Sequence, residues 1–292
     1  MRWRLPEWAV GLLFISPWLV GFGAFMALPI ALSFWYSLSD YTILEPPVYV
    51  GLENYQRLAE DPVFWKVMWN TVIYAVIAIP LGTIFALVIA GLLNAKVIGL
   101  TFFRAAVFLP SLVPLVASAM IWIWIFNGEN GLLNGALELI GIRGPNWLGE
   151  AAWMMPSLVI ISLWSIGQAV VIYLAALQDV PTSLYEAADL DGMGVIGKFW
   201  NVTIPMISPV ILFNVIMAII ATWQIFAVPF IISLDGGPER SGYFYTMYLY
   251  DQAFRFLNMG VASAMAWVQL LIILGLTGLT FLVSRRTVHY RA

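Results

Sequence analysis

The 292-residue chain contains no cysteine and a single histidine, His289. Disulfides, thiolate metal sites and cysteine nucleophiles are thereby excluded. One histidine cannot supply a metal cluster or a catalytic triad. Charge is scarce as well: Asp, Glu, Lys and Arg make up 10% of the residues, whereas 62% are hydrophobic. A soluble domain is nearer a quarter charged and half apolar. A fold this poor in charge cannot cover its own surface in water, so hydrocarbon must cover it.

Six stretches, about 9–34, 67–93, 105–126, 152–177, 206–234 and 260–284, are long, apolar and free of Asp, Glu, Lys and Arg. A hydrocarbon core about 30 Å thick takes roughly 20 residues of helix. Backbone groups in lipid must pair within the segment, and barrel strands would be shorter and alternate in polarity. The expectation is an all-α integral membrane protein with about six transmembrane helices. The first stretch is too long for the apolar region of a signal peptide and reads as a retained span, bent at Pro17 and Pro29. With no repeat of fixed period and no low-complexity tract, residues 1–292 read as a single transmembrane domain.

Lys and Arg near the span ends set the orientation. With the N-terminus inside, the inner segments hold Arg2, Arg4, Lys96, Arg104, Lys198, Arg285, Arg286 and Arg291. The outer ones hold Arg57, Lys66, Arg143, Arg240 and Arg255. Acidic residues lean outward, eleven to five. Both termini are therefore expected in the cytoplasm, consistent with an even number of spans. Trp8, Trp35, Tyr36, Trp65, Trp69 and Trp153 sit at the proposed edges, as interfacial aromatics do. The longest inner connection, 178–205, is the natural contact for a cytoplasmic partner.

That connection holds three misleading patterns. Gly192-Met193-Gly194-Val195-Ile196-Gly197-Lys198 resembles nucleotide-binding glycine motifs, but Phe199 stands where a phosphate loop needs Ser or Thr. No α/β sheet fits between two spans. Asn201-Val202-Thr203 is a glycosylation sequon on the inner side, a chance match. Glu186, Asp189 and Asp191 have no histidine or metal-ligand company and read as solvated loop carboxylates.

The loop's main pattern runs Tyr185-Glu186-Ala187-Ala188-Asp189-Leu190-Asp191-Gly192 and ends Phe199-Trp200-Asn201-Val202-Thr203-Ile204-Pro205. Gly192 lies six residues after Glu186, and Pro205 thirteen after Gly192. This resembles the EAA loop of ABC importer permeases, with Met193 where that family usually has alanine. Further segments resemble the binding-protein-dependent sugar permeases of the maltose and glycerol-3-phosphate type. They are Gly51-Leu52-Glu53-Asn54-Tyr55, Phe64-Trp65 with Asn70-Thr71, Arg104 with Phe108-Leu109-Pro110, Gly131-Leu132-Leu133-Asn134, Asn146-Trp147-Leu148, Leu174-Ala175-Ala176-Leu177-Gln178 and Gly236-Gly237-Pro238. Taken in order they cover nearly the whole chain and look most like the first permease of the pair.

The resemblance implies a type I ABC importer permease fold in a prokaryotic cytoplasmic (inner) membrane. It implies a second homologous permease, two ATPase subunits that bind ATP and magnesium, and an extracytoplasmic solute-binding protein. It implies no cofactor in this chain and no nucleic-acid partner. The cargo would be a sugar or related polyol. ATPase coupling would fall to Tyr185, Glu186, Ala187, Ala188, Asp191, Gly192, Phe199 and Pro205. The residues themselves suggest a compact knob: a helix over 183–190, a break at Gly192 and Gly194, a second short helix over 195–202, and Pro205 and Pro209 in the first turn of the fifth span.

No ionisable side chain lies within a span, which argues against proton coupling. Sodium coupling through neutral oxygens, and a permease for a non-sugar solute, remain the alternatives. A membrane-embedded enzyme would need a convergent acid, base or nucleophile, and none lies at a common depth. Neutral polar groups in spans four to six include Ser162, Trp164, Ser165, Gln168, Tyr173, Asn214, Thr222, Trp223, Gln224, Ser263 and Gln269. Amides and hydroxyls beside aromatic rings suit a sugar, although such groups also stitch helices together. The substrate path is expected at Trp164, Ser165, Gln168, Thr222, Gln224 and Gln269, with Gln224 and Gln168 foremost.

Overall fold

The computed structural model describes residues 6–95 and 98–287, with the side chains of Arg286 and Thr287 left aside. Arg2, Arg4, Lys96, His289 and Arg291 lie outside the described residues. Four helical stretches are long and apolar enough to cross a membrane: Glu7–Ser37, Pro62–Asn94, Val195–Ile232 and Met259–Arg285. Two bent pairs complete up to six. Leu100–Leu112 meets Leu115–Ile125 at 101°, and Ala151–Trp164 meets Gly167–Gln178 at 49°. Besides helix, the described residues form one two-stranded ribbon, β1 (Ser39–Asp40) antiparallel to β2 (Val48–Tyr49).

Contacts divide the chain into two compact units. The first comprises residues 1–61 and 249–270, the second residues 62–248 and 271–292. In the first, α1 (Glu7–Phe22) runs through a π turn, Gly23–Ala27, into α2 (Leu28–Ser37). Pro17 is accommodated inside α1, and the second proline, Pro29, falls in the first turn of α2. Helix α3 (Glu53–Glu60) carries the buried Asn54, whose amide donates to the Ser37 and Ser39 carbonyls at 3.0 and 2.8 Å. The Tyr55 hydroxyl donates to Ser37 Oγ at 2.9 Å. The Gly-Leu-Glu-Asn-Tyr segment is thus a clasp that closes the end of α2.

The second unit is organised on α4 (Pro62–Asn94), 33 residues long. At 1.5 Å per residue it reaches about 50 Å, so both ends project beyond the hydrocarbon. Ala78, Gly82, Ala86 and Ala90 recur every fourth residue, and Ala86 and Ala90 are fully buried. This small-residue stripe lets α9 (Gly167–Gln178) approach closely. Val170, Tyr173, Leu174 and Leu177 pack there into one core with Ala86, Ala90 and Leu93. Gly167 is required where α9 begins, since a Cβ there would lie 2.6 Å from the Val107 carbonyl oxygen.

At its outer end α4 secures a distant loop. The Asn70 amide donates to the Arg240 and Tyr243 carbonyls at 2.8 and 2.9 Å, and Thr71 Oγ1 accepts the Tyr245 N–H. The Gly-Gly-Pro segment is therefore held by the Asn-Thr pair about 170 residues away. Asn134 of α7 (Leu132–Glu138) does the same locally. It donates to the Gly128 and Pro145 carbonyls and accepts the Trp147 indole N–H at 2.7 Å.

One expectation needs correction. The second short helix of the inner loop does not stand apart from the fifth span. Helix α11 (Val195–Lys198) continues through a π turn, Phe199–Thr203, into α12 (Ile204–Trp223). Pro205 has no N–H to give to a carbonyl four residues back. The wider π turn, in which the Ile204 N–H bonds to the Phe199 carbonyl, absorbs the mismatch without ending the helix. The sequon residue Asn201 spends its amide on the Gly197 carbonyl within this segment.

Candidate functional site

The inner loop forms a hairpin. Helix α10 (Thr182–Leu190) follows Pro181 and stops at Gly192, whose φ is +73°. The Gly192 N–H bonds to the Asp189 carbonyl and the Met193 N–H to the Ala188 carbonyl, a Schellman closure that needs a left-handed residue between. Lys198 and Asp189 form an ion pair across the turn. Tyr185 and Thr203 share a 2.9 Å hydroxyl–hydroxyl bond. Val180, Tyr185 and Val202 join the core built on Ala86 and Ala90, so the hairpin is fastened to the spans.

Among the residues expected to couple, Glu186, Ala187, Asp191, Gly192 and Phe199 are exposed. Ala188 is buried, and Tyr185 and Pro205 are partly buried supports. Sequence reasoning did not single out the apolar tip. Leu190, Val195, Ile196 and Trp200 are 63–91% exposed around the hairpin turn. Exposed apolar patches of this kind occur at protein and membrane contacts alike. The tip's sequence signal was available: four large apolar residues beside the glycines of a polar loop.

A cavity of about 570 Å³ lies among α4, α8 (Ala151–Trp164), α9 and α12. Its polar lining is Tyr74, Thr83, Ser162, Tyr173, Asn214, Thr222 and Gln224, with no charged side chain. The three broken spans meet here. Leu115 follows the break at Val113–Pro114. Ile166 lies in the α8–α9 break and Ser162 just before it. Gln224, Ile225 and Phe226 are themselves the gap between α12 and α13 (Ala227–Ile232). Irregular backbone at membrane depth is tolerated where it is buried in protein or lines a water-filled cavity, and these three interruptions share one cavity.

Donors and acceptors are unevenly spent. Ser162, Thr222 and Asn214 donate to carbonyls of their own helices, leaving oxygen lone pairs for a ligand. Among the described residues the Gln224 side chain makes no hydrogen bond, and it is exposed to the cavity. The Tyr74 and Tyr173 hydroxyls lie beside Ser162 and Thr83 respectively. The Tyr173 hydroxyl is nonetheless buried without a bond of ordinary geometry. It is a buried donor without a well-formed bond in the wall of a mostly apolar cavity.

Of the expected path residues, Thr222 and Gln224 line this cavity. Trp164 lies edge-on to Trp122 in an aromatic column that continues through Phe126 and Trp147 to Trp153. Ser165 caps α8, Gln168 is exposed in the first turn of α9, and Gln269 is buried in the first unit; none of the four lines the cavity. Tyr74 and Thr83 were missed because only spans four to six were searched. Among the described residues no cluster of His, Asp and Glu could hold a metal ion.

Residues 78–289 match the family model described as binding-protein-dependent transport system inner membrane component. The chain is 35% identical over 286 residues to the probable ABC transporter permease protein YesP of Bacillus subtilis (strain 168), covering 97% of this chain and 92% of that one. It is 35% identical over 285 residues to the lactose transport system permease protein LacF of Rhizobium radiobacter, covering 94% of each. Its fold matches, with a TM-score of 0.84 over 96% of both chains, a chain of a bacterial ABC transporter involved in the import of the acidic polysaccharide alginate. At 19% identity that likeness is one of fold. The family match spans most of the chain and the relatives nearly all of it, so the chain belongs to the binding-protein-dependent transport system inner membrane components, the multi-pass permease subunits of ABC importers.

Proposed function

We propose that this permease forms one half of a pore that moves a neutral oligosaccharide into the cytoplasm, with the cavity at Tyr74, Thr83, Tyr173, Asn214, Thr222 and Gln224 as its cargo site. The observation that carries this reading is the meeting of three helix breaks at one largely apolar cavity whose polar groups are all uncharged hydroxyls and amides. Its volume falls in the range of small-ligand sites. Hydroxyl and amide groups can exchange hydrogen bonds with sugar hydroxyls, while Tyr74 and Phe226 offer apolar faces to ring C–H groups. The lining has no basic residue, so an anionic saccharide would enter without a counter-charge from this chain. The lactose permease of Rhizobium radiobacter supports the same substrate class.

The other half of the pore is a second, homologous permease. The hairpin at Glu186–Gly192, with its apolar tip, docks on a cytoplasmic ATPase dimer that binds ATP and magnesium, and an extracytoplasmic protein delivers the saccharide. The permease itself performs no covalent chemistry. Motion passes from the ATPase through α11 directly into α12, because the two are one continuous helix that reaches the Gln224 break. The test is uptake by the co-purified complex in proteoliposomes with its binding protein. Labelled neutral disaccharides should accumulate with ATP and be indifferent to ionophores. Uptake that follows a proton or sodium gradient without ATP would overturn the reading, and preference for an acidic oligosaccharide would overturn the substrate class.

A further inference from the structure

We propose that Arg104 and the slot beside it form a binding site for the phosphate headgroup of an anionic phospholipid from the cytoplasmic leaflet. The slot has a volume of about 240 Å³ and lies among the end of α4, the helix α5 (Leu100–Phe108) and α9. Its polar lining is Arg104 and Gln178. The rest is apolar, with Val107, Val170, Val171 and Leu174. No acidic side chain lines it.

Arg104 is exposed and, among the described residues, has no carboxylate partner. Its one hydrogen bond, 3.3 Å to the Leu93 carbonyl oxygen, holds the guanidinium against the C-terminal end of α4. A guanidinium carries five N–H donors in a planar fork suited to phosphate oxygens, so most of its donors remain free. The connection 94–104 contains Lys96 and Arg104 and no acidic residue. Ile98, just before α5, and Phe102 and Phe103, in its first turn, are exposed and apolar. A cation at the cytoplasmic edge, an amide beside it and an apolar wall running inward match a headgroup followed by its acyl chains. A partner helix, 10–12 Å across with its side chains, does not fit a slot of this size.

The experiment compares phospholipids on the intact complex. Purified complex is delipidated, re-equilibrated with equimolar phosphatidylglycerol and phosphatidylcholine, and analysed by native mass spectrometry for retained lipid. Wild type should retain phosphatidylglycerol over phosphatidylcholine by about fivefold, the worth of one arginine at an anionic surface. Arg104→Gln should abolish this preference. Val171→Trp, which fills the apolar wall and leaves the arginine in place, should do so too. Because Arg104→Gln also removes the bond to Leu93, thermal stability is read with and without phosphatidylglycerol: the lipid should stabilise wild type and neither variant. Inorganic phosphate should not displace the lipid from wild type; displacement would identify the site as one for free anions and overturn the lipid assignment. Equal preference for phosphatidylglycerol in wild type and both variants would also overturn it.

Discussion

At the residue scale, Tyr173 and Gln224 give separate tests of the proposed cargo site. The Tyr173 hydroxyl is buried beside Thr83 without a bond of ordinary geometry, so removing it should relieve a desolvation cost. Tyr173→Phe is therefore expected to leave thermal stability unchanged or higher while raising the KM for uptake about five- to tenfold, the worth of one hydrogen bond to cargo. A variant with unchanged KM would remove Tyr173 from the path. Gln224→Leu should lower uptake in the same assay, since its unspent amide faces the cavity. Gly192 has a conformational role. A β-branched residue at φ +73° is strained by ~1–2 kcal/mol and disfavours the hairpin closure. Gly192→Val, and Glu186→Lys on the exposed face of α10, should each leave the protein inserted but abolish substrate-stimulated ATP hydrolysis. Unchanged stimulation in both would exclude the loop from coupling.

At the scale of elements, the long helix α4 depends on its small residues. Ala86 is fully buried where α9 crosses. Ala86→Leu should overpack the contact and cost about 1–3 kcal/mol, read as a lowered Tm of the detergent-solubilised complex. The hairpin depends on its apolar tip instead. Trp200→Ala and Ile196→Ser leave the Schellman turn and the Tyr185–Thr203 bond untouched. They should nevertheless release the ATPase during purification, because exposed tryptophans at contacts are frequent hot spots, each worth about 2 kcal/mol or more. Full retention of the ATPase by both variants would assign docking to Glu186 and its neighbours alone. The helix runs without a break from the hairpin through Phe199–Thr203 to Gln224, so under the proposed coupling a tilt of the hairpin would turn α12 as one body.

At the scale of the whole molecule, the absence of cysteine is an experimental advantage, since any introduced thiol is the only one. Met193→Cys in the hairpin should resist a membrane-impermeant maleimide in intact cells and react in inverted vesicles. Glu138→Cys in the outer helix α7 should do the reverse. Labelling of residue 193 from outside would invert the topology and remove the ATPase from its proposed dock.

The sequence by itself determined the membrane class and the position of the apolar helical segments, because lipid imposes length and apolarity on every crossing segment independently of its neighbours. It also determined the turn at Gly192, since a local closure needs only a few adjacent residues. Tertiary structure alone decided which polar groups share a cavity. Thr222 and Gln224 face the same space as Tyr74 and Thr83, more than 130 residues earlier, while Trp164 joins an aromatic column and Ser165 caps a helix. Polar side chains within a span look alike whether they stitch helices or meet cargo. Which they do depends on the rotation of each helix and on where it breaks, and both are set by packing between segments remote in sequence. The clasps at Asn54, Asn70 and Asn134 follow the same rule: each asparagine stands out as a motif, and only the folded chain supplies the carbonyls that explain it.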